Sequence, residues 1–258
     1  MERVAGMTED SVCIVTGGGG PRIGSGICRA LAVKGWTVVV ADQNLAAATA
    51  VADEVRAAGG SAVPMVLDVT DADSVRRVVA ATVAEFGGLD ALVNSAGVGL
   101  RKPGAEATPE EFDRVHAINY RGPWTCIKEV LPVMLANGGG SIVNIGSVHA
   151  AGAAETFTLY AATKAALAAL TKGTARDYGR RGIRCNIVHP GAVEVRGNEH
   201  LLDEFVATRQ MLPAAVEAID IGNAVAFLVS AEARAITGIE LFVDAGTTAM
   251  LFSNGFTD

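Results

Sequence analysis

Tyr160 and Lys164 stand four residues apart in the run Tyr160-Ala161-Ala162-Thr163-Lys164. On a helix that spacing puts both side chains on one face, one turn apart. A phenol ionises near pH ~10, and a neighbouring ammonium stabilises the phenolate and lowers that value. Such a group can take the proton of an alcohol and return it to a ketone. Thirteen residues before Tyr160 comes Ser147, closing the apolar run Val143-Asn144-Ile145-Gly146. A hydroxyl at the end of a strand can hold a substrate oxygen as charge develops on it. Taken alone, a Tyr-x-x-x-Lys pair is an ordinary solvated helix face. Its weight here comes from Ser147 and from a second constellation far upstream.

That second constellation begins where the β-branched run Val12–Thr16 leads into Gly17-Gly18-Gly19-Gly20-Pro21-Arg22-Ile23-Gly24-Ser25-Gly26 and then a helical pattern. Glycines let the backbone approach a pyrophosphate, and a helix N-terminus offers unpaired N–H groups at the positive end of a dipole. Glycine-rich loops serve many ends. The place between a first strand and a first helix is what points to a dinucleotide. Asp42 closes the second strand-like run, Val38-Val39-Val40-Ala41, close to where an acid meets the adenosine ribose. A carboxylate there accepts from both ribose hydroxyls and repels a 2′-phosphate, which favours NAD over NADP. Two other readings stand beside it. Asp42 could cap the helix that follows, and Arg22 could hold a 2′-phosphate or pair with the pyrophosphate. Asp42 is given the greater weight because it would face the 2′ position directly. Asp68-Val69 closes the third run, where a carboxylate could meet the adenine amino group. Asn94-Ser95-Ala96-Gly97 closes the fourth, and its small residues leave room for a cofactor across the strand ends.

The elements that must position these groups alternate along the chain. Short β-branched runs occur at Ser11–Thr16, Thr37–Ala41, Ala62–Leu67, Ala91–Asn94, Ser141–Ile145, Arg184–Val188 and Glu240–Val243. Helical periodicity fills the gaps at Gly24–Lys34, Leu45–Ala57, Ala72–Phe86, Pro109–Ala136, Tyr160–Tyr178 and Ile221–Val229. Strand then helix in regular order predicts an α/β fold, a doubly wound sheet of mainly parallel strands with helices on both faces. The runs are continuously apolar rather than alternating, as burial of both sheet faces requires. The whole chain reads as one domain, 1–258. It has a loose lead-in at 1–10, a long irregular region at 191–213 suited to a substrate loop, and a tail at 245–258.

These pieces together resemble the short-chain dehydrogenase/reductase family, NAD-preferring type, from Val12 to about Gly246. The matching residues are Thr16-Gly17, Ile23-Gly24, Asp68-Val69, Asn94-Ser95-Ala96-Gly97, Asn119, Ser147, Tyr160, Lys164, Asn186 with Pro190-Gly191, and Val243-Asp244. The resemblance implies a three-layer Rossmann-type sheet of seven strands and an Asn-Ser-Tyr-Lys tetrad. Tyr160 would then be the acid/base, and Ser147 would orient the substrate. Lys164 would bind the nicotinamide ribose and lower the Tyr160 pKa. Asn119, otherwise a polar residue in a long helix, would hold a water linking Lys164 to solvent. Pro190 and Gly191 would flank the nicotinamide. Three departures stand out. The glycine turn carries one extra residue, with Arg22 where a glycine is expected; Ser95 replaces a second Asn; and Val195 lies where a Thr often bonds the carboxamide, leaving that to the backbone near Val193.

Half of the 258 residues are hydrophobic and 30 are glycine, which suits a buried sheet with tight turns and argues against disorder. A net charge of -7 gives no general attraction to nucleic acid or to an anionic membrane. No apolar run is long enough to span a bilayer. Cys13, Cys28, Cys126 and Cys185 show no metal-ligand spacing and read as reduced core thiols of a cytoplasmic protein, with no metal site. Pocket candidates are Val98–Leu100, His149, Ala153–Thr156, His189, the Val193–Met211 segment and Met250–Phe252, most of them apolar. His149, two residues past Ser147, faces either substrate or water. His189 is expected to pack in a strand end, and Arg196 and His200 to be solvated. The expected activity is NAD-dependent interconversion of a secondary alcohol and a ketone on a small to medium, largely apolar substrate. An NADPH-dependent ketone reductase and a nucleotide-sensing regulator without chemistry are the alternatives. Small residues on the Tyr160 helix permit close contacts, and the resemblance implies a homotetramer.

Overall fold

The computed structural model describes residues 11–152, 154–193 and 199–250. Seven strands form one sheet: β1 (Val12–Thr16), β2 (Thr37–Asp42), β3 (Ser61–Val66), β4 (Ala91–Asn94), β5 (Gly140–Ile145), β6 (Ile183–Pro190) and β7 (Glu240–Val243). Their order is β3-β2-β1-β4-β5-β6-β7. Every neighbouring pair is parallel, so the expectation of a mainly parallel sheet becomes an all-parallel one.

The central strands are buried on both faces, and their period of two splits one apolar run between two cores. Cys13, Val15, Val38, Val40, Val143 and Ile145 point to one side. There they meet α1 (Ile23–Val33), α2 (Leu45–Ala57) and α8 (Ala218–Val229) through Ile27, Leu31, Val51, Ile221 and Val225. Val12, Ile14, Val39, Leu92 and Ile142 point to the other side. They meet α3 (Ala72–Phe86) and α5 (Gly122–Ala136) through Val75, Val78, Ile127 and Val130. All four cysteines are free and buried, with burial raising their thiol pKa values.

Local sequence sets several helix ends. Asn44 caps α2 by accepting from the Ala47 N–H at 3.2 Å. Asp71 caps α3 in the same way, through the Asp73 N–H at 2.9 Å. Asp42 is therefore not the cap of α2. The helix α4 (Pro109–His116) opens with a capping box between Thr108 and Glu111 and with Pro109 in its first turn. The single helix expected over Pro109–Ala136 is broken. Ala117–Arg121 forms one π turn between α4 and α5, and Asn119 sits inside it. Such a turn inserts one residue into the helical ladder, and amphipathic spacing does not reveal it.

The helix that carries Tyr160, α6 (Thr158–Tyr178), starts slightly earlier than its pattern predicts and runs for 21 residues. The region 191–213 is not a continuous loop, since α7 (Glu199–Arg209) occupies its middle. Val193 forms a parallel bridge with Val216 across it. Residues 1–10, Ala153, Arg196, the side chain of His200 and the pocket candidates Leu251 and Phe252 lie outside the described residues.

Candidate active site

The strand order reverses direction between β1 and β4, and in parallel sheets ligands bind at the carboxyl ends beside such a switch. Both constellations from the sequence lie there. On the nucleotide side, Gly17 adopts a positive φ of 65°, and a Cβ on it would lie 2.7 Å from the Ala96 Cα. Thr16 completes this junction by accepting from the Ser95 and Ala96 N–H groups through its hydroxyl, each at 3.1 Å. Gly24 is also obligatory, because its Cβ would lie 2.1 Å from the Gly17 carbonyl oxygen. The extra residue of the turn is taken up by a wide bend in which the Ser25 N–H reaches back to Gly20 O at 3.1 Å. Arg22 stands exposed where α1 begins, and Ile23 is the first helical residue.

Unlike α2 and α3, α1 has no side-chain cap, and like α2 it has no acidic residue in its first turn. With the Ser25 N–H taken by Gly20 O, the Ile23 and Gly24 N–H groups are the ones that could meet an external anion, which fits a pyrophosphate. Asp42 faces the same turn: Oδ2 accepts from the Gly19 N–H at 3.1 Å and Oδ1 from the Asn44 N–H at 3.0 Å. Each oxygen keeps accepting capacity for a ribose hydroxyl. Asp68 is exposed, with Oδ1 engaged by the Thr70 N–H and hydroxyl at 2.8 and 2.7 Å, while Val69 is buried against Gly122. Asn94 points inward. Its amide donates to Asn144 Oδ1 at 2.9 Å, tying β4 to β5, so only its backbone can face a cofactor.

On the chemical side, Ser147 is buried at the end of β5, in extended conformation, and its Oγ accepts from the His149 N–H at 3.3 Å. Lys164 is 5% exposed, and its Nζ donates to the Ile145 carbonyl at 2.8 Å. That bond ties α6 to the strand that carries Ser147. The ammonium lies 5.7 Å from the centre of the Tyr160 ring. Burial brings the Lys164 pKa down to about 8. Burial also pushes the Tyr160 phenol above its ordinary value, and a hydrogen bond with Ser147 pulls the other way. Nζ of Lys164 turns to that carbonyl, and desolvation is the larger influence on the phenol.

Asn119 is fully buried. Its amide oxygen accepts from the Val98 N–H at 2.9 Å, and its nitrogen donates to Val98 O at 2.9 Å and Thr163 Oγ1 at 3.2 Å. The side chain thus clamps the segment after β4 onto α6. A Cβ on Gly97 would lie 3.4 Å from Asn119 Oδ1 and 3.5 Å from Lys164 Nζ, so these three residues meet at one point. Gly191, beyond Pro190 at the end of β6, approaches Asp244 so closely that a Cβ would lie 2.8 Å from its Cα.

Sequence reasoning left His149 undecided, and the structure brings it in. Its ring stacks on Phe157 at 4.5 Å and meets Tyr160 edge-on at 5.9 Å, and burial lowers its pKa. Phe157 was not foreseen; only its position three residues before Tyr160 could have drawn notice. His189 is fully buried, as expected, but it also touches Ser147, with Nδ1 3.0 Å from its nitrogen. Among the described residues, no three His, Cys, Asp or Glu side chains cluster as metal ligands, and no helix is long and apolar enough to cross a membrane.

A family profile described as enoyl-(acyl carrier protein) reductase matches residues 21–248. The chain is 36% identical over 251 residues to cyclopentanol dehydrogenase of Comamonas sp. strain NCIMB 9872, covering 95% of this chain and 99% of that protein. A short-chain dehydrogenase/reductase from Burkholderia xenovorans superposes with a TM-score of 0.90 at 36% identity, covering 94% of this chain and 98% of the other. A gluconate 5-dehydrogenase from Burkholderia cenocepacia J2315, solved with NADP and tartrate, superposes at 0.87 and 32% identity, covering 93% and 96%.

Proposed function

The chain belongs to the short-chain dehydrogenase/reductase family of oxidoreductases, and from that premise we propose that it interconverts a secondary alcohol and a ketone with NAD(H). The observation that carries the reading is the convergence of Tyr160, Ser147 and Lys164 on the strand ends beside an uncapped α1. When bound, the dinucleotide supplies the hydride acceptor or donor and, when oxidised, a positive charge beside the phenol. The opening turn of α1, from Ile23 on, holds the pyrophosphate, with Arg22 at its edge. Gly17, Ala96 and Gly97 let the cofactor lie close to the backbone. Asp42 accepts the ribose hydroxyls, Asp68 and Val69 border the adenine, and Pro190, Gly191 and Val193 border the nicotinamide.

Tyr160 takes the alcohol proton during oxidation and returns one to the carbonyl oxygen during reduction. Ser147 Oγ holds that same oxygen. Lys164 holds the nicotinamide ribose. Asn119 keeps α6 and the segment after β4 in place. His149 and Phe157 form an aromatic wall beside Tyr160, which suits a largely apolar substrate.

The test is Tyr160→Phe on a panel of secondary alcohols and ketones, followed by the absorbance of reduced nicotinamide. Loss of a proton-transfer group costs about 10²- to 10⁴-fold in rate. We expect a loss in that range with NADH affinity changed by no more than a few-fold. Unchanged turnover rejects the mechanism, and a wild-type protein that binds NADH but turns over nothing supports a nucleotide-sensing regulator instead. A second reading, use of NADPH, is favoured by the exposed Arg22 beside the turn and by the NADP in the gluconate 5-dehydrogenase.

A further inference from the structure

His189 lies at the carboxyl end of β6 with no exposed surface, its ring stacked on Phe242 at 4.8 Å and 22°. Nε2 is 2.9 Å from Glu240 Oε2 at the start of β7. The other oxygen of Glu240 is 2.6 Å from Nζ of Lys172 on α6. On the opposite edge of the ring, Nδ1 is 3.0 Å from the Ser147 nitrogen and 2.9 Å from the Ser147 carbonyl oxygen. The bonding pattern follows from the inventory of donors. The Lys172 hydrogen bond holds the Glu240 carboxyl below the usual range, so it is ionised and can only accept. Nε2 must then carry the proton. Burial lowers the pKa of the imidazole against the opposing pull of Glu240 and the Ser147 carbonyl, which favours the neutral ring. In a neutral ring Nδ1 is the acceptor, and it takes the Ser147 N–H.

The ring fits only because residue 146 is glycine, since a Cβ there would lie 2.3 Å from Nδ1. The contacts also close a circuit. Lys164 on α6 bonds to Ile145 at the end of β5. Lys172 on the same helix reaches back through Glu240 and His189 to Ser147, two residues past Ile145. The helix that carries Tyr160 and the strand end that carries Ser147 are thus joined on both sides.

We propose that His189, oriented by Glu240 and Lys172, is a positioning residue that fixes the Ser147 peptide so that its hydroxyl meets the substrate oxygen in register with Tyr160. This rests on the reading of Ser147 and Tyr160 given above. His189 touches no reacting atom, and its contribution is geometric. Small misplacements of a reacting group are costly, about 10²-fold for 1 Å.

The experiment compares His189→Leu with His189→Asn, whose amide oxygen can still accept the Ser147 N–H. We expect His189→Leu to lower kcat about 10- to 100-fold with KM and NADH affinity within a few-fold, and His189→Asn to recover most of the loss. Nitrogen-15 spectra of histidine-labelled wild-type protein should show His189 as the Nε2–H tautomer. The proposal is overturned if His189→Leu keeps wild-type kcat, if His189→Asn is no better than Leu, or if the proton resides on Nδ1. Should His189→Leu fail to fold, Glu240→Leu at the partly exposed end of the chain of bonds decides: a drop in kcat with NADH affinity retained supports the proposal, and wild-type kcat overturns it. A wild-type protein without turnover would sink the reaction assigned above, and the tautomer would still test the His189–Ser147 bond by itself.

Discussion

Lys164 shows how a single buried charge sets a conflict between stability and chemistry. Its pKa falls from the model-peptide 10.5 to about 8 because burial disfavours the ammonium. Below pH 8 the folded protein carries the full penalty. Between about 8 and 10.5 the unfolded chain binds a proton that the folded chain does not, so stability rises with pH through that window. The penalty at neutral pH is about 3 kcal/mol, against roughly 1 kcal/mol for the hydrogen bond to Ile145 O. Lys164→Met is therefore expected to be about 1–2 kcal/mol more stable than wild type at pH 7, with the gap vanishing as pH approaches the upper end of the window, and to be inactive. Denaturant titrations at both pH values check the sign; a variant less stable at pH 7 rejects the argument.

At the scale of elements, α1 and α8 cross with almost no space between them. A Cβ on Gly222 would lie 2.5 Å from Gly26 O and 2.7 Å from Ala30 Cβ. A Cβ on Gly26 would lie 2.5 Å from Ala218 O. Since α1 begins at the glycine turn, this crossing also fixes the proposed pyrophosphate site. Gly222→Ala gains helix propensity of about 1 kcal/mol but overpacks a backbone contact at about 1–3 kcal/mol. A net loss of stability is expected, with weaker NADH binding. Gly173→Ala on α6 meets nothing within 4 Å, so the same change there should stabilise by about 0.5–1 kcal/mol. Parallel thermal melts of the two variants should move in opposite directions; movement in the same direction refutes the packing account.

At the scale of the molecule, both constellations lie on one rim because the strand order reverses between β1 and β4. A ligand bridging that rim contacts β1, β2, β4, β5 and α6 at once, so its binding should stabilise the whole fold. At ~100 times its Kd a ligand adds about 2.7 kcal/mol, or roughly 5–10 °C for a chain of this size. NADH is expected to raise the Tm more than NADPH at equal concentration, because Asp42 rather than Arg22 faces the glycine turn. The reverse order would replace the NAD assignment with NADPH. We propose the homotetramer that the family resemblance implies; Phe112, Trp124 and Phe227 are each 40% or more exposed. Sedimentation equilibrium should return about four times 26.4 kDa; a monomer mass rejects it.

Periodicity and end signals were enough to predict all seven strands and most helices, because strand burial and capping are local or nearly so. Types and spacing likewise marked Ser147, Tyr160, Lys164 and the glycine turn. The π turn around Asn119 and the helix at Glu199–Arg209 escaped, since neither changes the apolar pattern enough to show. What the chain could not disclose linearly were partners set by three-dimensional neighbours: the inward turn of Asn94 to Asn144, the carbonyl that occupies Lys164, and the contact of His189 with Ser147. These depend on which strand ends adjoin and on how much water each group loses. That desolvation, a property of the folded surroundings, raises Tyr160 and lowers Lys164, which spacing along the chain cannot show.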